Sequence, residues 1–201
     1  QGLDLQVRKG EKLILTGTDP LKSRFMDVLS GEGTIDSGEL RWGRTVNLGY
    51  MPKDIEPFFE SEKTILEWLH QFSTGKDMTE LRGFLGRMLF SGDDVNKKVS
   101  VLSGGEKMRC MFSRIMLQDP NVVLMDAPTS HLDLESITAL NEALEKFTGA
   151  LIFASDDTQF CTSLATRVLE LRGSDYYDLR MNYDAYLQDA SRLEREGRMA
   201  A

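Results

Sequence analysis

Residues 102–109, LSGGEKMR, constrain the fold more than any other part of this chain. Ser103 is a good helix N-cap, and Glu106 follows three residues later, as in a capping box. Gly104 and Gly105 let the backbone N–H groups of the first helical turn approach an anion, which the positive end of the helix dipole also attracts. The segment therefore predicts a glycine loop that opens a helix and meets an anion. An ordinary capped helix after a glycine turn is the alternative.

A second motif follows this helix pattern. Residues 122–126, VVLMD, predict a buried strand that ends in the carboxylate of Asp126, and residues 127–133, APTSHLD, follow directly. In order and spacing the two motifs resemble the signature loop and the Walker B strand of ATP-binding-cassette (ABC) ATPases. The EKxR after the two glycines and the PTxHLD box resemble the ABC-F branch, whose members act on ribosomes and carry no membrane domain.

The resemblance covers nearly the whole chain and implies a P-loop NTPase-like α/β fold, in which helices flank a mostly parallel sheet. The alternation of strand and helix patterns also favours a parallel sheet covered on both faces. We expect residues 1–56 and 117–187 to form the nucleotide-binding-type core. An inserted helical subdomain is expected at residues 57–116, ending in the signature helix, and a charged tail at residues 188–201.

Local patterns predict individual elements near the beginning of the chain. Leu3, Leu5 and Val7 alternate with polar residues, which predicts a half-buried strand. Residues 12–16 predict a short strand, followed by a helix from about residue 24 to residue 29. A turn and a further strand are expected within residues 33–42.

The resemblance places the phosphate-binding loop at the sequence GTDPLKS, where the chain departs from the family pattern. The family loop has six steps from its first glycine to its lysine, whereas Gly17 and Lys22 are five apart. Pro20 has no N–H group, and Asp19 brings like charge to a phosphate. On one interpretation, a weakened phosphate site remains here, formed by Gly17, Lys22 and Ser23. An ordinary strand-to-helix turn is the interpretation that we favour.

Three further positions differ from those that the resemblance implies for catalysis. Lys53 replaces a Gln that reaches the metal and the attacking water; a lysine cannot accept a bond from that water, and a plain surface lysine is the simple alternative. Ala127 replaces the general-base Glu, and Asp156 replaces the His that contacts the γ-phosphate. Asp126 remains in place to hold Mg²⁺. The resemblance implies ATP and Mg²⁺ as cofactors, but we expect their binding to be weak or absent and no catalytic residue to be intact.

In the ABC family, two domains pair head to tail, and each nucleotide lies between one domain's phosphate loop and the other's signature loop. With its signature loop intact at residues 103–106, this chain would complete the ATP site of a second ABC domain without hydrolysing ATP itself. One alternative is an active ABC-F ATPase that acts on the ribosome through an unusual phosphate loop. Another is an inert scaffold that keeps only the fold. A ribosomal partner rests on the family analogy alone.

Composition limits the remaining classes of function. The net charge of −8 argues against direct nucleic-acid binding by the domain as a whole, although a local basic edge stays possible. No apolar run approaches the roughly 20 residues that span a bilayer, and the polar start QGLD is unlike a signal peptide. Cys110 and Cys161 have no Cys or His at metal-ligand spacing, which indicates buried thiols in a reducing compartment. We therefore expect a cytoplasmic protein without a membrane partner.

Overall fold

A computed structural model of the chain describes residues 2–173 and 175–195. Within them, one six-stranded sheet is flanked by α-helices and three short 3₁₀ helices. The strands are β1 (Lys12–Gly17), β2 (Leu48–Met51), β3 (Val122–Asp126), β4 (Ala150–Ala154), β5 (Arg167–Arg172) and β6 (Asp175–Leu179). The α-helices are α1 (Asp19–Ser30), α2 (Ile65–His70), α3 (Met78–Arg87), α4 (Gly104–Leu117), α5 (Leu134–Glu145), α6 (Thr158–Leu164) and α7 (Tyr183–Arg195). The 3₁₀ helices are Glu56–Phe59, Gly92–Asn96 and Val99–Val101.

The strand order is β2-β3-β4-β1-β5-β6. All neighbours from β2 to β5 are parallel, and only β6 runs antiparallel, against β5. Every residue of β3 and β4 is buried, as expected for parallel strands with helices on both faces. The predicted α/β architecture with a mostly parallel sheet is confirmed.

Side chains of the central strands alternate between two apolar cores, one on each face of the sheet. Leu13 and Leu15 of β1 enter the core that contains Met26 of α1. Ile14, between them, enters the opposite core, which contains Phe153 of β4 and residues of α4, α5 and α6. This two-residue period places every second strand residue against a different helix layer.

The strand predicted at Leu3, Leu5 and Val7 does not form. Residues 2–7 have no strand pairing, although Leu5 and Val7 pack partly buried against the core beside α1. The alternating pattern therefore reports one-sided burial of side chains, and a backbone ladder is not needed to produce it.

The strand predicted within residues 33–42 is also wrong. The segment consists of bends and irregular chain, and Gly38 adopts a φ of 95°. Leu40 packs against the core beside α1, and the indole N–H of Trp42 donates to the carbonyl of Leu29 at 3.2 Å. These contacts anchor the apolar residues individually without a neighbouring strand.

Helix α1 is longer than predicted. α1 begins at Asp19 instead of near residue 24, because Pro20 is favourable in a first helical turn, where no N–H donor is required. Helix α7 includes the first part of the expected charged tail, from residue 188 as far as Arg195. The rest of that predicted tail, residues 196–201, lies outside the described residues. Among the helices of the described ranges, none is long and apolar enough to cross a membrane.

Helices α2 and α3 pack against each other and against α4, the signature helix. Each of the two begins with a capping box, with Thr64 and Asp77 as the respective N-caps. Trp68 of α2 stacks on Phe59 with ring centroids 4.9 Å apart and meets the edge of Phe72 at 5.1 Å. This aromatic packing helps to hold the helical layer that supports α4.

Arg167 joins three segments at one side of the sheet. Its side chain is 4% exposed, and its Nε and Nη2 donate to the two carboxylate oxygens of Asp178 at 2.7 and 2.6 Å. Nη1 donates to Glu11 Oε2 at 2.9 Å and to the carbonyl of Gln6 at 2.8 Å. The hydrogen bonds from Arg167 hold the pKa of Asp178 below its ordinary value.

Cys110 and Cys161 are both buried free thiols, as predicted. Burial raises the pKa of each thiol, to about 12 for Cys161. Both are therefore protonated at neutral pH, which disfavours thiolate chemistry.

Candidate nucleotide site and signature loop

β1 ends at Gly17, where the chain turns sharply into α1. Gly17 adopts a φ of 128°, in the left-handed range that favours glycine. A Cβ atom here would lie 2.3 Å from the carbonyl oxygen of Leu171 in β5, so a larger residue cannot fit without a backbone shift. The fold itself thus requires this glycine, whatever the following turn binds.

The turn after Gly17 leaves few backbone donors for a phosphate. The carbonyl of Thr18 accepts from the N–H groups of Leu21 at 3.0 Å and of Lys22 at 3.1 Å. Pro20 has no N–H group. A phosphate loop works by directing successive N–H groups inward. Here α1 begins at Asp19, so hydrogen bonds of its own first turn use two of the N–H groups that a phosphate would need.

Asp19 bridges two lysines across this turn. Its Oδ1 lies 2.9 Å from Nζ of Lys22, and its Oδ2 lies 3.1 Å from Nζ of Lys53. Lys22 is 8% exposed and also lies 3.4 Å from Oδ1 of Asp156. The structure therefore brings Lys22 and Lys53 together through Asp19, and Asp156 joins the same cluster through Lys22.

These contacts favour the ionised forms of both Asp19 and Lys22. The hydrogen bonds from Lys22 and Lys53 hold the pKa of Asp19 below its ordinary value. Burial by itself would lower the pKa of Lys22, but the hydrogen bond to Asp19 and the charge of Asp156 outweigh it and raise that pKa. Asp19 and Lys22 are therefore ionised at neutral pH and form a true ion pair.

Ser23 and Asp126 are in direct contact. Ser23 Oγ donates to Asp126 Oδ2 at 2.6 Å, and Asp126 is 4% exposed at the end of β3. Hydroxyl and carboxylate oxygens suit Mg²⁺, so the pair could supply two ligands. In the described ranges, no group of three or more His, Cys, Asp or Glu side chains is arranged to hold a metal ion.

A cavity of about 250 Å³ lies between the end of β4 and the first turn of α1. On its wall, Ala127 adopts a φ of 53° and donates its N–H to the carbonyl of Ala154 at 2.8 Å. The Ala127 methyl group offers no proton acceptor. The charged residues that line the cavity are four carboxylates (Asp19, Asp126, Asp156 and Asp157) and two ammonium groups (Lys22 and Lys53).

The signature loop forms the predicted capping box. Ser103 N–H donates to Glu106 Oε2 at 2.9 Å, and Glu106 N–H donates to Ser103 Oγ at 3.3 Å. Ser103 is exposed, while Gly104 and Gly105 are partly exposed. Because they are the first two residues of α4, their N–H groups have no acceptor within the helix. Glu106 also pairs with Lys97 at 3.0 Å.

Both signature glycines pack against the turn that follows β3. A Cβ at Gly104 would lie 3.0 Å from Cβ of His131, and a Cβ at Gly105 would lie 3.1 Å from the carbonyl oxygen of His131. His131 itself has a φ of 64°. The signature loop and the PTSHLD turn therefore form one continuous surface.

One contact that joins the signature helix to α5 was not predicted from the sequence. Arg109 Nη1 donates to Ser136 Oγ at 2.6 Å, and Ser136 N–H donates to Asp133 Oδ1, the N-cap of α5, at 2.8 Å. Arg109 belongs to the EKxR motif, but no local spacing indicates a partner 27 residues later.

The sequence model of the ABC transporter family matches residues 1–130. The matched part contains β1, α1, the signature loop and Asp126 of β3. The chain belongs to the ABC transporter family.

Relatives of this ABC domain include bacterial and plant proteins. It is 46% identical over 188 residues to the ABC transporter ATP-binding protein YkpA of Bacillus subtilis (strain 168), and the alignment covers 92% of this chain and 35% of YkpA. It is 45% identical to the ATP-binding protein YbiT of Escherichia coli O157:H7, covering 94% of this chain and 36% of YbiT. For ABC transporter F family member 5 of Arabidopsis thaliana, the identity is 31%, with 98% of this chain and 29% of the relative covered. The chain thus spans about a third of the length of these curated relatives.

Solved ABC structures have the same fold. An ABC transporter in an inward-facing conformation superposes with a TM-score of 0.74 at 19% identity, covering 90% of this chain and 77% of the other. The complex of the archaeal ribosomal stalk protein aP1 with the archaeal ribosome recycling factor aABCE1 gives a TM-score of 0.70 at 23% identity, covering 91% and 37%. The chain is an ABC-F-type ATP-binding cassette domain of P-loop NTPase fold. Its family implies ATP binding with Mg²⁺.

Proposed function

We propose that this ABC-F-type domain does not hydrolyse ATP at its own phosphate loop. Its signature loop would instead complete the ATP site of a second ABC domain, paired head to tail with this one. One contrast carries the proposal. Lys22 of the phosphate loop and Lys53 after β2 are already paired with Asp19, whereas the capped N-terminus of α4 presents Gly104 and Gly105 at the surface.

The residues of this chain's own site do not fit a bound triphosphate. The first turn of α1 uses the N–H groups of Leu21 and Lys22, and Pro20 supplies none. The cavity is lined by two more carboxylates than ammonium groups, so it repels a polyanion. Ala127 and Asp156 lack the chemistry of the Glu and His that the family places there.

Weak ATP binding by the isolated chain follows from this misfit. We expect a dissociation constant above 1 mM, which corresponds to less than about 4.1 kcal/mol of binding free energy. Calorimetric titration of the purified chain with ATP and Mg²⁺ measures it directly. Micromolar binding would contradict the proposal and favour an active ATPase with an unusual phosphate loop.

The surface around the signature loop supports a partner domain. Val101, just before the loop, is 71% exposed, and Leu134, just after the PTSHLD turn, is 76% exposed. A partner that covers this surface would remove both apolar side chains from water. The N-terminus of α4 would add about 0.3–1 kcal/mol of attraction to a phosphate at an exposed site, and more where the interface excludes water.

For the whole protein, we propose a cytoplasmic location and an association with ribosomes, by analogy with the ABC-F branch. The chain spans only about a third of its curated relatives, so this part of the proposal concerns more than the domain described here. Co-sedimentation of the full-length protein with ribosomes, with and without ATP, tests it. Absence of the protein from the ribosomal fractions in both conditions would contradict it.

Restoring the two missing catalytic groups should not restore turnover. We expect the Ala127→Glu/Asp156→His double variant to release phosphate at the background rate at saturating ATP, since the pairing of Lys22 and Lys53 with Asp19 is unchanged. An ABC domain of measured ATPase activity serves as the positive control for the phosphate-release assay, and thermal unfolding verifies that the variant folds. A rate clearly above background for the double variant alone would show that the short loop does hold ATP productively.

A further inference from the structure

Two lysines from different elements converge on one carboxylate. Lys22 lies in α1, and Lys53 follows β2, yet their ammonium groups contact the two oxygens of Asp19 at 2.9 and 3.1 Å. Each oxygen accepts from one lysine only, so the carboxylate lies between them as a bridge. Oxygen anions such as phosphates bind to pairs of cationic side chains through the same charge-assisted hydrogen bonds.

We infer that Asp19 is a built-in anion that occupies the place of a phosphate between Lys22 and Lys53 and so masks a latent oligophosphate site. The inference rests on the proposed misfit between this chain and ATP, and it gives a specific cause for the weak ATP binding. It does not depend on pairing with a second ABC domain.

Covalent attachment makes Asp19 a strong competitor. Asp19 and Lys22 are three residues apart on one helix, so their contact requires no chain closure. A tethered group has an effective concentration in the millimolar range or higher, which a free anion must exceed to displace it. Asp156 contributes less, because it lies 3.4 Å from Lys22 and its side chain is 88% exposed.

Among the carboxylates that line the cavity, Asp19 is the one whose position suits it to take the place of a phosphate. Its side chain is 54% exposed and contacts both ammonium groups, so an anion that approaches these lysines from solvent meets the Asp19 carboxylate there. Asp126, in contrast, is buried and is already bonded to Ser23. Removal of the Asp19 charge should therefore leave both ammonium groups facing the cavity mouth, with only the exposed carboxylate of Asp156 still beside Lys22.

The inference is tested with inorganic tripolyphosphate, titrated by calorimetry at low ionic strength into the wild-type chain and its variants. We expect Asp19→Asn and Asp19→Ala to bind it at least about tenfold more tightly than the wild type, with the gain lost at high salt. Asp36→Asn is the matched control, since it makes the same charge change at an exposed loop position. It should bind like the wild type.

A second change identifies the cations involved. Adding Lys53→Gln to Asp19→Asn should return the affinity to the wild-type level, because only one ammonium group then remains at the mouth. Equal binding by the Asp19 variants and Asp36→Asn would overturn the inference, as would a gain that survives Lys53→Gln. Circular dichroism of each variant verifies folding, and Asp19→Ala keeps the test valid should Asp19→Asn retain its lysine contacts through the amide oxygen.

Discussion

Replacing Ser103 with arginine should weaken the ATP-dependent association of this chain with an intact ABC domain. Ser103 is the exposed N-cap of α4, directly before the two glycines whose N–H groups would meet the partner's γ-phosphate. A long side chain at this position fills the space in front of those groups. We expect the association to weaken at least about tenfold, which corresponds to about 1.4 kcal/mol.

The matched control for this variant is Ser103→Ala. Both changes remove the side-chain cap, in which Ser103 Oγ accepts from Glu106 N–H, and both should cost about 1 kcal/mol of folding stability. Only arginine blocks the phosphate, so the alanine variant should still associate. Gly105→Asp tests the same surface through charge repulsion, but it is less clean, because its Cβ would lie 3.1 Å from the carbonyl oxygen of His131.

Sedimentation velocity provides the measurement. The chain is mixed with an intact, hydrolysis-deficient ABC-F domain and analysed with and without ATP and Mg²⁺. A mixed complex that forms only with ATP, and that Ser103→Arg weakens, is the expected result. If ATP does not change the sedimentation of the mixture with the unmutated chain, the proposal that this chain completes a partner's ATP site is wrong. The alternative of an inert scaffold that keeps only the fold would then be favoured. If Ser103→Arg associates normally, the contact lies elsewhere on the domain.

Replacing Arg167 with methionine should lower the free energy of unfolding by about 3 kcal/mol. The guanidinium is buried and donates to Asp178, Glu11 and the carbonyl of Gln6, so its loss leaves two carboxylates close together without their cation. Asp178 and Glu11 keep about a quarter of their side-chain surface exposed, and their hydration limits the penalty.

Urea unfolding of wild type, Arg167→Met and Arg24→Met measures this effect. Arg24 is an exposed arginine of α1, so its replacement should change stability by less than about 0.5 kcal/mol. Arg167→Lys should recover only part of the loss, because an ammonium group cannot form the two parallel bonds to Asp178. A loss below about 1 kcal/mol for Arg167→Met would show that the ion pairs contribute little.

The same cluster should also produce an acid-dependent loss of stability. The pKa of Asp178 is lower in the folded state than in the unfolded state, so its contribution is complete above the unfolded pKa of about 3.9. That contribution disappears as the pH falls through the folded pKa. Asp178→Asn should reduce the fall in the free energy of unfolding that occurs as the pH is lowered. If that fall is unchanged in the variant, other carboxylates cause it.

The sequence by itself determined the elements whose causes are local. The capping box needs only Ser103 and Glu106 at a spacing of three, and β3 needs only an apolar run of strand length. The short phosphate loop was also visible, since five steps from Gly17 to Lys22 and a proline between them can be counted. The motifs together with their order were sufficient to indicate the family.

Only the tertiary structure decided which charged and apolar groups meet. The sequence placed Asp19, Lys22 and Lys53 near one site, but the contact of both lysines with a single carboxylate depends on how α1 and the end of β2 pack. The bond from Arg109 to Ser136 likewise requires α4 to lie against the start of α5. Local patterns report burial and turn chemistry, whereas partners distant in the chain are chosen by the sheet order and by the space that packing leaves. The alternation of Leu3, Leu5 and Val7 therefore predicted side-chain burial correctly for Leu5 and Val7. The strand that it also predicted does not form, because no neighbouring strand pairs with this segment.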